Sequence, residues 1–101
     1  MKNLNWKTIN LAGSKFIEGF LGDEKIFDGH VMEKKIQLYD LREIPAKIYA
    51  FADSKTMKKV CEKSLDKKEI LADYLDKEWY DLSEKTSKSI KKVDELIKHL
   101  S

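Results

Sequence analysis

Apolar and polar residues alternate along the first half of the chain in a pattern typical of β-strands. Ile36 and Leu38, for example, would lie on one side of a pleated strand and Gln37 on the other. This alternation predicts an antiparallel sheet with one face exposed to water. The predicted strands cover four segments: Trp6 to Leu11, Lys15 to Leu21, Val31 to Tyr39 and Ile44 to Phe51.

Glycine, aspartate and proline mark the predicted turns between these strands. A run that begins at Gly22, the dipeptide of Asp28 and Gly29, and the region around Pro45 all have the composition of hairpins or turns. For one segment the sequence does not decide between helix and strand. Between residues 9 and 21 the apolar positions fit a helical stripe as well as they fit a strand.

A short helix is expected at the start of the second half of the chain, which contains neither glycine nor proline. Asp53 or Ser54 can cap its N-terminus, and the helix would extend to Lys63. The apolar residues of this segment recur at helical spacing and would share one face: Met57, Val60 and Cys61.

Apolar residues at intervals of three and four indicate a second helical region that begins near Lys67. A patch of weak helix formers from Ser83 to Ser87 leaves open whether this region is one long helix or two, and we favour a break. Trp79 would belong to the core, whereas Tyr80, about 100° further around the helix, would point elsewhere. The apolar stripe consists of Leu71, Leu75, Trp79, Leu82, Ile90, Val93, Ile97 and Leu100.

Together these elements predict an α+β fold, in which a small N-terminal antiparallel sheet is packed by two or three C-terminal helices. A chain of 101 residues is close to the common size of one domain. We therefore expect a single domain over residues 1–101, with a β-rich half over residues 5–51 and a helical half over residues 54–100.

Charge and cysteine content narrow the functional classes. Charged residues make up 38% of the chain, but 20 basic side chains nearly cancel 18 acidic ones, so attraction to nucleic acid is weak. The single cysteine cannot form an intrachain disulfide. No apolar run is long enough for a signal peptide or approaches the ~18 residues of a membrane-spanning helix. These features predict a cytoplasmic protein without a membrane segment.

The predicted second helical region contains the leading candidate binding surface. Tyr80 would lie among charged residues, and a tyrosine on a polar face is a common interface anchor because it buries a large area at low entropic cost. Acidic residues precede basic ones along this region, an order that would also complement an antiparallel copy and makes a homodimer an alternative partnership. The candidate partner-binding residues are Tyr80, Asp73, Asp76, Lys77, Asp81 and Glu84.

A lysine cluster supplies the alternative function, binding of nucleic acid or another anionic ligand. Arg42 is the only arginine, and lysine lacks the bidentate fork that reads guanine, so sequence-specific DNA binding is disfavoured. A helix-turn-helix reader is disfavoured as well, because its second helix would present four carboxylates to the phosphates. The lysine cluster consists of Lys55, Lys58, Lys59, Lys63, Lys67 and Lys68.

The chain offers few residues for catalysis. The candidates are Cys61, His30 and His99, but Cys61 lies on the apolar side of its predicted helix, where a thiol packs as a small hydrophobe and stays protonated. One cysteine and two distant histidines match no zinc spacing, and the glycines form no nucleotide-binding motif. We therefore predict a non-enzymatic protein-binding module without cofactor or metal, of the inhibitor, immunity or regulatory accessory type of bacteria or phages.

Overall fold

The computed structural model describes residues 4–66, 79–82 and 87–100, which form one six-stranded sheet and two helices. The prediction of an α+β fold is thus confirmed, and the described residues contain two of the two or three predicted helices. The strands are β1 Asn5–Leu11, β2 Ser14–Leu21, β3 Glu24–Val31, β4 Ile36–Asp40, β5 Lys47–Phe51 and β6 Trp79–Leu82. The helices are α1 Ser54–Asp66 and α2 Ser87–Leu100.

Strands β1 to β5 form an antiparallel meander because short connections join each strand to the next. Ala12 and Gly13 make the turn between β1 and β2 with φ of 50° and 81°, the left-handed conformation that a two-residue hairpin requires. Gly22, with φ of 65°, begins the turn between β2 and β3. Residues 9–21, which fitted a helix and a strand equally well, therefore form strand, turn and strand, and not a helix.

One predicted turn and one predicted strand need correction. Asp28 and Gly29 lie inside β3, and the reversal falls at residues 32–35, which splits the predicted strand over Val31 to Tyr39. Gly29 serves packing instead of turning, since a Cβ at this position would lie 3.1 Å from Met57 Sδ of α1. Glycine here allows the helix to approach the sheet closely.

Helix α1 confirms the short helix that the sequence predicts, with its C-terminal end three residues beyond Lys63 at Asp66. The carboxylate oxygen Oδ1 of Asp53 accepts a hydrogen bond from the amide of Thr56 at 2.7 Å, which caps the helix. The predicted apolar face is also confirmed, because the residues that are buried on α1 include Met57, Val60 and Cys61.

The prediction of a helix across residues 79–82 is wrong, because Trp79–Leu82 is strand β6. β6 runs parallel to β5, and Ile48 pairs with Trp79. Aromatic residues suit strands as well as helices, and pairing with a neighbouring strand overrides a helical period in four residues. A single helix from Lys67 to Leu100 is thereby excluded. The predicted helix start at Lys67 lies outside the described residues, and so do residues 83–86 of the predicted break from Ser83 to Ser87.

The hydrophobic core lies between one face of the sheet and the two helices. Its large, fully buried side chains come from both layers: Phe27, Leu38, Tyr49 and Phe51 from the strands, and Met57, Val60 and Leu96 from the helices. A buried ion pair joins the layers, since Arg42 binds the carboxylate of Asp40 and also donates to Ser64 Oγ of α1 at 3.1 Å. In the described ranges, no helix is long and apolar enough to cross a membrane.

Candidate functional site

The sheet has a second face, opposite α1 and α2, and this outer face is the candidate site. Strand residues alternate between the faces, so the neighbours of the core residue Gly29 project outward. Neither of the two described helices covers this face. The residues of the outer face include Lys7, Ile9, Phe16, Glu18, Phe20, Lys25, Asp28, His30 and Tyr39.

Aromatic side chains form the centre of the outer face. Phe16 and His30 are register partners on β2 and β3, and their rings stack with centroids 4.8 Å apart and an interplanar angle of 18°. The ammonium group of Lys7 lies 4.9 Å from the ring centroid of Phe20, a cation–π distance. Phe16, Phe20 and Tyr39 are each half-buried, so part of every ring faces solvent. The outer face therefore presents rigid apolar area.

A charged triad lies beside these rings. Lys25 Nζ is 2.9 Å from Glu18 Oε2 and 3.7 Å from Asp28 Oδ2. The hydrogen bond to Glu18 raises the pKa of Lys25 above its ordinary value, with a smaller contribution from the charge of Asp28 and against the effect of partial burial. With two carboxylates and one ammonium group, the triad is net negative. The other carboxylate oxygen of Asp28 is buried and has no hydrogen-bond partner among the described residues.

The predicted partner-binding residues are only partly described. Asp73, Asp76, Lys77 and Glu84 lie outside the described residues. Tyr80 and Asp81 belong to β6 and pair in register with Tyr49 and Ala50 of β5. The prediction that Tyr80 and Asp81 lie on a helix is therefore wrong. The assignment of the six residues as a binding surface stays a prediction.

The four described members of the lysine cluster lie on α1, on the side of the sheet away from the outer face. Lys55 and Lys59 are exposed and one helical turn apart, and Lys63 is half-buried near the end of the helix. Lys58 Nζ lies 5.9 Å from the ring centroid of Trp6. The remaining two members, Lys67 and Lys68, lie outside the described residues, so anion binding by the cluster stays a prediction.

The candidate catalytic residues Cys61 and His30 do not form a cysteine–histidine pair. Cys61 is fully buried, and burial raises the pKa of its thiol well above the ordinary value, with a further contribution from the negative charge of Asp40. His30 is half-buried within β3 and lies on the outer face, so the sheet separates it from Cys61. His99 is exposed in the last turn of α2. The part of the chain that the structure describes contains no cluster of three potential metal ligands.

Comparisons with known proteins add no relative: no protein-family model, no curated protein and no solved structure matches the chain at a significant level. The candidate site therefore depends on geometry alone. Sequence reasoning missed the outer face because the segment with Phe16 and Phe20 fitted a helix equally well, and because the Asp28 and Gly29 pair was interpreted as a turn. The usable signal was the spacing of Phe16, Glu18 and Phe20, which as every second residue lie on one face of a strand.

Proposed function

We propose that the chain is a small, non-enzymatic protein-binding module of the inhibitor, immunity or regulatory accessory type, which acts in the cytoplasm and binds its partner through the outer face. One observation carries the proposal: half-buried aromatic residues occupy outward positions on a sheet face that neither described helix covers. Outward positions of an antiparallel sheet with one wet face are usually polar. Aromatic residues are enriched at protein interfaces and dominate their binding energy.

The chemistry of the outer face favours a protein partner over nucleic acid. Aromatic platforms bind single-stranded nucleic acid when a positively charged groove tracks the phosphates. Here the ammonium groups of Lys7 and Lys25 are balanced by the carboxylates of Glu18 and Asp28, so the outer face has no positively charged groove for a phosphate backbone. The complementary partner surface is an apolar patch bordered by a basic side chain.

Retention of partner proteins from a cell lysate tests this proposal. The immobilised chain is expected to retain a discrete protein after nuclease treatment, and the double variant F16A/Y39A is expected to lose it. The matched control K55A/K59A changes two exposed residues of α1 on the opposite side of the sheet and should retain the same protein. Circular dichroism of each variant serves as the control for folding.

Two outcomes would contradict the proposal. Retention that is equal for F16A/Y39A and the unmodified chain would remove the outer face as the binding surface. Retention of nucleic acid that is lost in K55A/K59A and falls steeply with salt would instead support the lysine cluster and the alternative function.

A further inference from the structure

The first strand of the sheet has an open edge. β1 pairs with β2 on one side only, and no described residue pairs with its other side. Proteins usually protect such an edge with proline, several charges or a bulge. β1 contains no proline and one charge, Lys7, and its apolar residues Ile9 and Leu11 are 37% and 64% exposed. This edge is thus a template for a further strand.

The hairpin geometry determines which backbone groups the edge presents. Leu11 and Ser14 flank a two-residue turn and therefore form a hydrogen-bonded pair. Every second residue back from Leu11 directs its amide and carbonyl groups to β2 in the same way. The amide and carbonyl groups of Trp6, Thr8 and Asn10 consequently point away from the sheet.

β1 is complementary to a second copy of itself. Thr8 is the midpoint of Asn5–Leu11, so an antiparallel pair that is centred on Thr8 overlaps the whole strand. In this register Thr8 lies opposite Thr8 of the second copy and Trp6 lies opposite Asn10, which gives partners to all the outward backbone groups. The single charge avoids its own copy, because Lys7 lies opposite the uncharged Ile9.

We propose that two copies of the chain pair through β1 in this antiparallel register, so that the two sheets become one continuous sheet around a twofold axis. Two-fold dimers are the commonest oligomers, and the same strand serves both copies. The inference concerns the outward backbone groups of β1 and does not depend on which partner binds the outer face, although the side chains of Lys7 and Ile9 belong to that face.

Cysteine cross-linking tests the register. In T8C the two new thiols face each other across the twofold axis, and residues in a hydrogen-bonded antiparallel pair have a Cα separation of about 5.5 Å, which a disulfide spans. The matched control N10C has an equally exposed cysteine on the same face of β1, but it would lie opposite Trp6. Cys61 is buried and does not compete. We expect T8C to form a disulfide-linked dimer under mild oxidation and N10C to stay largely monomeric.

Sedimentation of variants tests the interface in solution. T8P removes an outward amide that β2 does not use, so the fold should persist while the dimer dissociates. I9K places a second ammonium group opposite Lys7, whereas I9E places a carboxylate there. Because the symmetry repeats the contact, I9K should raise the dimer dissociation constant about tenfold relative to I9E.

A chain that sediments as a monomer up to millimolar concentration would overturn the inference, as would equal cross-linking of T8C and N10C. A monomer whose retained partner protein is lost in T8P would show that a strand of another protein occupies the edge, which also overturns it. The proposed function is tested separately by F16A/Y39A. This variant leaves the outward backbone groups of β1 unchanged, so loss of the retained partner in it does not depend on pairing through β1.

Discussion

Replacing Arg42 by alanine is expected to destabilise the fold by about 3–5 kcal/mol, because it leaves a buried carboxylate without its charge partner. Asp40 is 0% exposed and the Arg42 side chain is 14% exposed. Arg42 donates from Nε to Asp40 Oδ1 at 3.0 Å and from Nη2 to Oδ2 at 2.9 Å. Two charge-assisted hydrogen bonds at about 1.5–3 kcal/mol each give about 3–6 kcal/mol, which agrees with that range.

Urea denaturation followed by tryptophan fluorescence measures this loss. R42K should be intermediate, because lysine restores the charge without the fork that binds both oxygens. The double variant D40N/R42A should be more stable than R42A, since the buried negative charge is then removed. A loss below about 1 kcal/mol in R42A, or a double variant no more stable than R42A, would refute the reasoning that an uncompensated buried charge dominates.

Three further predictions follow from the core and the outer face. The Cys61 thiol should react with an aromatic disulfide reagent only at the rate at which the chain opens, and rapid labelling of the folded chain would contradict its burial. Folding raises the pKa of Cys61 above its ordinary value of 9.0 and the pKa of Lys25 above its ordinary value of 10.5. The stability that each group contributes to the folded chain is therefore complete below its ordinary pKa and is lost as the pH rises past that value. The free energy of unfolding should therefore decrease in alkaline solution. Above pH 9 it should decrease less in C61A than in the unmodified chain. G19A places a Cβ 2.8 Å from the Trp6 ring and should cost about 1–3 kcal/mol in urea denaturation, most of which the W6L background should relieve.

Local signals predicted α1 correctly, because a cap and an apolar period act within a few residues. Asp53 caps the helix, and Met57, Val60 and Cys61 form its buried face, as the spacing indicates. The antiparallel sheet over residues 5–51 was predictable in part: Ile36, Gln37 and Leu38 of β4 alternate apolar and polar residues, whereas the sequence of β2 does not alternate and most of β3 was not predicted as a strand.

Non-local contacts explain what the sequence pattern missed. β6 exists because Trp79 and its neighbours pair with β5, more than 25 residues earlier in the chain, and a helical period over four residues carries no information about that partner. Gly29 resembles a turn residue by its dipeptide, yet its role depends on the approach of Met57 from α1. The outer face became visible only when β3 was placed between β2 and β4.

The affinity of the retained partner for outer-face variants tests the central claim most directly. Isothermal titration calorimetry would compare the unmodified chain, F16A/Y39A and the helix-face control K55A/K59A against the same purified partner. The account predicts at least a tenfold weaker dissociation constant for F16A/Y39A, because truncating buried aromatic anchors typically costs 1–2 kcal/mol or more each, and an unchanged constant for the control. Equal affinity of F16A/Y39A and the unmodified chain would contradict the claim that the outer face binds the partner.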